Sequence, residues 1–416
     1  MRILHTADWH LGKNLEGRDR QREQLQFIDE ICQICEEEAI ELVLLAGDIY
    51  QNPNPSAVAE ELFYYALDRL ACQGRRGVVV IAGNHDNPER LCAPAPLADR
   101  LGISLLGLPK DELKTHVAAG RVSRVACGAS WLEVAIPGCD HHAVIAALPY
   151  PSEGRLRQLI AASLSEEKLQ QSYQLLIRST MASLAAHYRR DTVNLAMSHL
   201  FVRGGIETGH EAESQIQQVG GMYAVDSWDF PAGAQYVALG HLHRPQDMTA
   251  PMPMRYAGSP LAYSFAEVGQ AKSVTVIEAL PSQAAIVREV CLSAGRPLAR
   301  WQAREGLHQV YRWLEEGRDK QAWIDLEVHV DRLAGSEEIQ RIRSLHPGIV
   351  NIRLIAAHEP AAEGEQPDLS RLTAEEMFHR FFAKQTGGLQ PEEGLVKLFL
   401  ELTQEVAADS ERDGEE

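Results

Sequence analysis

Long apolar runs are missing from this 416-residue chain. Nothing in it reads as a bilayer span, and Met1-Arg2-Ile3-Leu4-His5 opens directly as β-like sequence without an apolar signal core, so a cytoplasmic protein is expected. Paired cysteines are missing too. The seven thiols (Cys32, Cys35, Cys72, Cys92, Cys127, Cys139, Cys291) are odd in number and scattered, which excludes a disulfide framework. Cys32 and Cys35 lie inside a helical pattern with Phe27, Ile28, Ile31 and Ile34 and have no second pair in range, so core packing is expected rather than zinc or redox chemistry. Aromatics make up only 6% of the chain, and neither a stacking platform nor a recognition helix is evident, so sequence-specific reading of a nucleic acid is not expected. A surplus of basic charge is also lacking. The net charge is −18, and fifteen acidic against five basic residues from Glu359 onward account for −10 of it, leaving −8 for the rest. That balance excludes tight DNA binding by bulk electrostatics, but not action on nucleic acid by an acidic enzyme whose bound cations and local basic strip receive the phosphates.

What is present is organised. Low-complexity tracts and internal repeats are absent, and the length suits two to three domains. From residue 1 to about 280, strand-like and helix-like segments alternate, as in stacked βαβ units. Met1–Thr6, Leu42–Ala46, Gly77–Ala82, Val193–Met197, Tyr236–Leu239 and 273–278 read as strands; Gln21–Glu38, Ala57–Leu70 (with Ser56 as N-cap) and Ser163–His187 read as helices. Val117–Ile136 reads as short antiparallel strands. A boundary falls near Pro281. Residues 281–358 then form a compact α+β unit: strand Ala285–Val290, helix Arg300–Glu316, strand Trp323–Val330, helix Ser336–Leu345 and strand Val350–Ile355. Residues 359–370 read as a linker, 371–408 as two amphipathic helices opened by a Thr373/Glu376 capping box, and 409–416 as a disordered acidic end.

Five short clusters carry the chemistry: Asp8-Trp9-His10, Gly47-Asp48, Gly83-Asn84-His85-Asp86, Ser198-His199 and Gly240-His241-Leu242-His243. Each stands where an apolar run ends, so a sheet would bring them to one edge. Taken singly, each could be a turn or a polar strand end; taken together they supply a complete donor set for two metal ions. Two ions about 3.5–4 Å apart need a ligand between them, and Asp48, after the most apolar strand, is the best candidate. Asp8, His10 and one of His241 and His243 would complete one ion; Asn84, His199 and the other would complete the second. Oxygen and imidazole donors without thiolate favour manganese, iron or zinc. His85, next to Asn84, would face the substrate and protonate a leaving oxygen or hold the phosphate, with Asp86 expected to fix its tautomer.

The ordered set resembles the calcineurin-like metallophosphoesterases. The flanking runs His10-Leu11-Gly12-Lys13, Val219-Gly220-Gly221, Tyr236-Val-Ala-Leu-Gly-His-Leu-His-Arg-Pro-Gln246 and Tyr256-Ala-Gly-Ser-Pro260 narrow the resemblance to the SbcD family of bacterial nuclease subunits. The resemblance implies an α/β fold: a metallophosphoesterase β-sandwich flanked by helices, with a small α+β capping domain and a helical C-terminal tail. It implies Asp8, His10, Asp48 and His243 on one metal ion, Asp48, Asn84, His199 and His241 on the other, and His85 as the catalytic histidine. It further implies manganese dependence, 3′-to-5′ double-strand exonuclease and hairpin endonuclease activity in DNA repair, recombination and replication, an SbcC-type ABC ATPase as partner, and a homodimer within a heterotetramer. Some relatives carry a histidine where Gln51 stands, and no role for it carries over.

Two surfaces complete the expectation. Lys13, Arg18, Arg20 and Arg22 form a basic cluster suited to DNA phosphates. Phe378, Phe381, Phe382, Leu398 and Phe399 form an apolar face on the tail suited to helices of the ATPase. The alternatives are a small-molecule (nucleotide) phosphodiesterase, which needs neither capping domain nor tail, and a non-catalytic adaptor, against which the complete donor set argues.

Overall fold

The computed structural model describes residues 1–151, 166–208, 224–330, 335–356, 373–386, 390–400 and 402. The chain divides into two compact units, Met1–Arg296 and Pro297–Glu416.

Two sheets face each other in the first unit. Strands β1 (Arg2–Thr6), β2 (Leu42–Ala46), β3 (Gly77–Ile81) and β4 (Ile103–Leu106) run parallel, and the sheet continues beyond β1 through two antiparallel strands, Ser273–Glu278 and Ile286–Cys291. The second sheet holds β5 (Ser123–Gly128), β6 (Trp131–Ala135), β7 (Ala143–Leu148), β8 (Val193–His199), β9 (Tyr236–Gly240), β10 (Gln246–Asp247) and β11 (Met254–Tyr256), in the order β10-β11-β9-β8-β7-β6-β5. The two closing strands of the first sheet are therefore β12 (Ser273–Glu278) and β13 (Ile286–Cys291).

The apolar continuity of β2 has a direct cause: both its faces are covered. Val43 and Leu45 pack outward under helices α1 (Gln21–Glu37) and α2 (Ala57–Ala71), while Leu42, Leu44 and Ala46 pack inward against the second sheet. α1 buries Phe27, Ile28, Ile31, Cys32, Ile34 and Cys35, the stripe its spacing predicts. Burial pushes the Cys32 and Cys35 thiols up to about 11 and about 12, so both are protonated packing groups at neutral pH. Ser56 Oγ accepts from Ala59 N at 3.3 Å and starts α2. α3 (Glu166–Ala185) covers the outer face of the second sheet, where Tyr173, Ile177, Met181 and Leu184 meet Ala146, Ala196 and Val237. The result is the helix-flanked β-sandwich that the family resemblance implies.

The first unit runs past the expected boundary near Pro281. Ile286–Cys291 does not open the second unit; it pairs along its whole length with β12. Its mostly exposed residues suit an edge strand, with Val287 and Val290 half-buried against the inner and outer cores respectively. The second unit is a three-stranded parallel sheet, β14 (Leu298–Ala303), β15 (Trp323–Val330) and β16 (Ile349–Ala356), with α4 (Leu307–Glu315) and α5 (Ser336–Leu345) on the face carrying Trp301, Leu326, Val328 and Ile352. The helix expected over Arg300–Glu316 is shorter, because Trp301 and Ala303 alternate inward as strand residues and the helix begins only after Gly306. In the tail, α6 (Ala374–Thr386) is opened by the expected box: Glu376 N donates to Thr373 Oγ1 at 3.2 Å and Thr373 N to Glu376 Oε2 at 2.8 Å. Residues 393–400 are helical. The segments 359–370 and 409–416, and Val219-Gly220-Gly221, lie outside the described residues. Among the described residues no helix is long and apolar enough to cross a membrane.

Candidate active site at the seam of the two sheets

Parallel strands deliver their C-terminal ends to one edge, and all five clusters sit there. The loops after β1 and β2 zip together: Asp8 N donates to Gly47 O, His10 N to Asp48 O and Leu11 N to Ile49 O, at 3.0, 3.0 and 2.9 Å. His199 ends β8 of the opposite sheet, and its Nδ1 bonds to Ala46 O of β2 at 2.8 Å, so the seam between the sheets is also the floor of the site. The loops approach too closely for side chains at two of the glycines. A Cβ on Gly240 would lie 1.8 Å from Ala46 O, and one on Gly83 would lie 2.1 Å from Asp48 Oδ1. Asp8, His10, Asp48 and His241 all have positive φ (55°, 45°, 50° and 106°), backbone strain that clusters at sites where geometry outranks local preference.

The seven expected donors converge. His10 Nε2 faces His243 Nε2 at 3.0 Å; Asn84 Oδ1 faces His199 Nε2 at 2.9 Å and His241 Nδ1 at 3.1 Å; Asp48 Oδ2 lies 3.4 Å from His199 Nε2 and 3.6 Å from His10 Nε2. Donor atoms of Asp8, His10 and His243 lie within 4.8 Å of one another, as do those of Asp8, Asp48 and His199 and those of His10, Asp48 and His85. Asp8 Oδ2 is buried without a hydrogen-bond partner.

The charges are poised for cations. Burial holds His10 well below the ordinary imidazole range despite Asp48, and burial followed by His199 brings His241 down to about 3. Both rings are neutral at pH 7. His10 Nε2 and His243 Nε2 stand 3.0 Å apart, a spacing that a single shared proton bridges and that a cation could take in its place. Burial also opposes charge on His199, but Asp48 and Asp8 raise it to about 9. Burial pushes Asp8 up to about 7 against the pull of His199 and His243, whereas at Asp48 the charges of His199 and His85 overcome burial and hold the carboxyl well below the usual range. The clustered carboxylate and imidazole donors and the unpartnered Asp8 oxygen fit divalent ions.

His85 projects beside the donors, its ring centre 4.9 Å from that of His10. His85 N donates to Asp48 Oδ1 at 2.9 Å, and Nδ1 bonds to the Gln51 carbonyl at 2.8 Å. A carbonyl can only accept, so Nδ1 carries a proton and Nε2 is the nitrogen free to exchange one. The tautomer is thus fixed by a backbone group and not by Asp86, which corrects the catalytic role expected for that residue. Asp86 is buried, and its carboxylate accepts from Ile49 N, Tyr50 N and Gly83 N at 3.1, 2.9 and 2.8 Å, stapling the loops after β2 and β3. Asp86→Ala is expected to lower unfolding stability by on the order of 3 kcal/mol in urea titrations, because it leaves buried N–H groups unmatched. An unchanged midpoint with lost activity would return Asp86 to the chemistry.

Other expected residues divide. Arg20 is 1% exposed: its guanidinium grips Glu23 at 2.8 and 3.0 Å and donates to Ala262 O. It is a structural anchor and not a phosphate contact. Arg18 and Arg22 are exposed, and Lys13 is half-buried with its ammonium 5.4 Å from the centre of the Tyr263 ring, which packs against His10 and His243. On the tail, Phe381 and Leu398 are exposed together with Met377, Leu395 and Leu402, whereas Phe378 stacks on Phe399 at 4.2 Å and lies 6.0 Å from Phe382, holding the two helices to each other. Sequence reasoning missed a layer behind His243. Tyr263 donates its hydroxyl to Trp9 O, and Glu267 and Lys272 form a buried ion pair. No spacing rule marks these residues: Glu267 and Lys272 stand five apart and share no helix or strand, and Tyr263 reaches Trp9 from far along the chain.

The comparisons agree with this geometry. The calcineurin-like phosphoesterase family matches residues 1–245, and a family described as the type 5 capsule protein repressor C-terminal domain matches residues 294–386, close to the start of the second unit. The chain is 45% identical over 403 residues to the SbcD subunit of nuclease SbcCD from Bacillus subtilis, covering 97% of each. It is 34% identical to the SbcD subunit of Rhodobacter capsulatus over 67% of this chain and 66% of the relative, and 25% identical to that of Escherichia coli K12 over 99% and 100%. With seven donors of the expected kinds at one seam and likeness over nearly its whole length, the chain belongs to the SbcD family of calcineurin-like phosphoesterases.

Proposed function

We propose that the chain is the nuclease subunit of a DNA end-processing complex and hydrolyses phosphodiester bonds at a two-metal centre. The observation that carries the reading is the convergence of buried imidazole, carboxylate and amide donors at one seam, with neighbouring donor atoms 2.9–3.6 Å apart. Asp8, His10, Asp48 and His243 would hold one ion, and Asp48, Asn84, His199 and His241 the other, with manganese the metal that suits the donors. Two divalent ions bound there supply an activated water near neutral pH and offset the charge that grows on the phosphate.

The protein's own groups do the rest. His199 is fixed by Ala46 O, so its Nε2 is turned to the donors. Asp48 joins both halves of the site and orients His85 through the backbone N–H. His85 Nε2, with Nδ1 occupied by Gln51 O, delivers a proton to the departing oxygen. Lys13, Arg18 and Arg22 receive backbone phosphates without reading bases, which suits action on ends and hairpins irrespective of sequence, in repair, recombination and replication. An SbcC-type ATPase takes the exposed Met377, Phe381, Leu395, Leu398 and Leu402 of the tail, in a heterotetramer with two copies of this chain.

The test is manganese-dependent release of nucleotides from an end-labelled linear duplex, alone and with the ATPase and ATP. Rapid cleavage of cyclic nucleotides without attack on DNA in either setting would favour a small-molecule phosphodiesterase. Deleting residues from 370 onward is expected to abolish co-purification with the ATPase while leaving the first unit folded; retained binding would move the partner surface elsewhere.

A further inference from the structure

His243 turns its two ring nitrogens to opposite partners. Nε2 meets His10 Nε2 at 3.0 Å on the donor side, and Nδ1 lies 3.8 Å from Oε1 of Glu267 on the other. Glu267 is itself held from two directions: Tyr263 N donates to Oε1 at 3.1 Å, and the Lys272 ammonium to Oε2 at 2.5 Å. The same ammonium donates to His243 O at 3.0 Å and Ser259 Oγ at 2.9 Å, and Ser259 N closes back on His243 O at 3.1 Å. One cation therefore fixes both the carboxylate and the backbone of the histidine that the carboxylate faces. Glu267, Lys272 and Ser259 are 1%, 8% and 0% exposed. Removing such a pair from water costs about as much as its attraction returns, so stability alone is a weak reason for it. Its placement behind a donor histidine supplies a better one.

We propose that Glu267, clamped by Lys272, is the positioning residue of His243. Its negative charge, 3.8 Å from Nδ1, favours the ring proton on that side and the orientation in which Nε2 offers its lone pair to the cation site shared with Asp8 and His10. This rests on the two-metal reading above. The carboxylate does not touch substrate or cation; it acts by raising the basicity of one ring and removing its rotational freedom.

Manganese binding, followed by calorimetric titration and by the electron paramagnetic resonance of free manganese, tests the assignment in wild type, Glu267→Gln and the double variant Glu267→Gln/Lys272→Met. The double variant removes both buried charges, so it folds even where Glu267→Gln alone, with an uncompensated ammonium, does not. The expected result is two ions per wild-type chain. In the variants, one affinity falls roughly 10–100-fold and the other stays at its wild-type value. His243→Ala should show the same selective loss, and adding Glu267→Gln to it should bring no further loss, since the carboxylate works only through that ring. Two unchanged affinities in the folded double variant would overturn the proposal, as would additive losses of Glu267→Gln and His243→Ala. A wild-type chain that binds no manganese would instead remove the two-metal reading itself, an outcome separable from failure of the Glu267 assignment.

Discussion

His85→Ala is expected to lower manganese-dependent hydrolysis of an end-labelled duplex by roughly 10²–10⁴-fold, the usual loss when a general acid is removed, while both ions stay bound. The expectation follows from how the ring is held. Its Nδ1 is committed to the Gln51 carbonyl and its backbone N–H to Asp48, so the side chain is rigid and has one nitrogen left for proton traffic. Because the Gln51 partner is backbone, a change of the Gln51 side chain should leave His85 where it is. Two measurements settle the role together, metal content by emission spectroscopy and single-turnover rate. A variant that loses an ion would make His85 a ligand, which its closeness to His10 and Asp48 permits. Full activity would take it out of the mechanism.

Asp48→Ala is expected to have the larger effect, since on the two-metal reading Asp48 would be a donor to both ions: metal content should collapse and hydrolysis should fall to that of metal-stripped protein. A related pH dependence follows. In the metal-free chain His199 is raised to about 9, above its unfolded value of about 6.5, so its contribution to stability is complete below about pH 6.5 and is lost as pH rises through about 9. Asp8, raised to about 7, acts in the same direction, because its protonated form is favoured by folding and disappears through that value. Bound manganese replaces those protons, and its affinity grows as they leave. The gap between metal-loaded and metal-free melting temperatures should therefore widen from pH 6.5 to 9, and in Asp48→Ala it should vanish. A gap that stays constant with pH would mean that the ions do not compete with the His199 proton.

The donors are legible in the sequence because chemistry and topology leave local marks. A strand that ends in Gly-Asp or Gly-His has small residues where loops collide and polar residues where the sheet stops, and Gly83 and Gly240 show why nothing larger fits. Asp86 misleads because its adjacency to His85 suggests a partnership, whereas three backbone N–H groups from the loops after β2 and β3 need an acceptor and take it. Arg20 misleads because a run of basic residues suggests exposure; Glu23, three residues on, is the available sign that its charge is matched within a helical turn. The boundary at Pro281 fails for a similar reason. Proline beside a polar turn resembles a linker, yet Ile286–Cys291 pairs with β12 as an edge strand and returns to the first sheet. Glu267 and Lys272 leave no such mark, because what makes them matter is the fold that sets His243 between them and the donors.

The arrangement of strands has a consequence for when the enzyme exists. Its donors are drawn from positions 8 to 243, and β1, which carries the loop of Asp8 and His10, is flanked by β2 on one side and by β12, some 270 residues later in the chain, on the other. The first sheet therefore stays open at β1 until residues 273–278 have been made, and such long-range pairing forms slowly. A chain still on the ribosome, or one cut short before His243, has no assembled centre. If the proposed phosphodiester hydrolysis is its activity, the protein is thereby kept inert through most of its own synthesis by nothing more than the order in which its strands arrive.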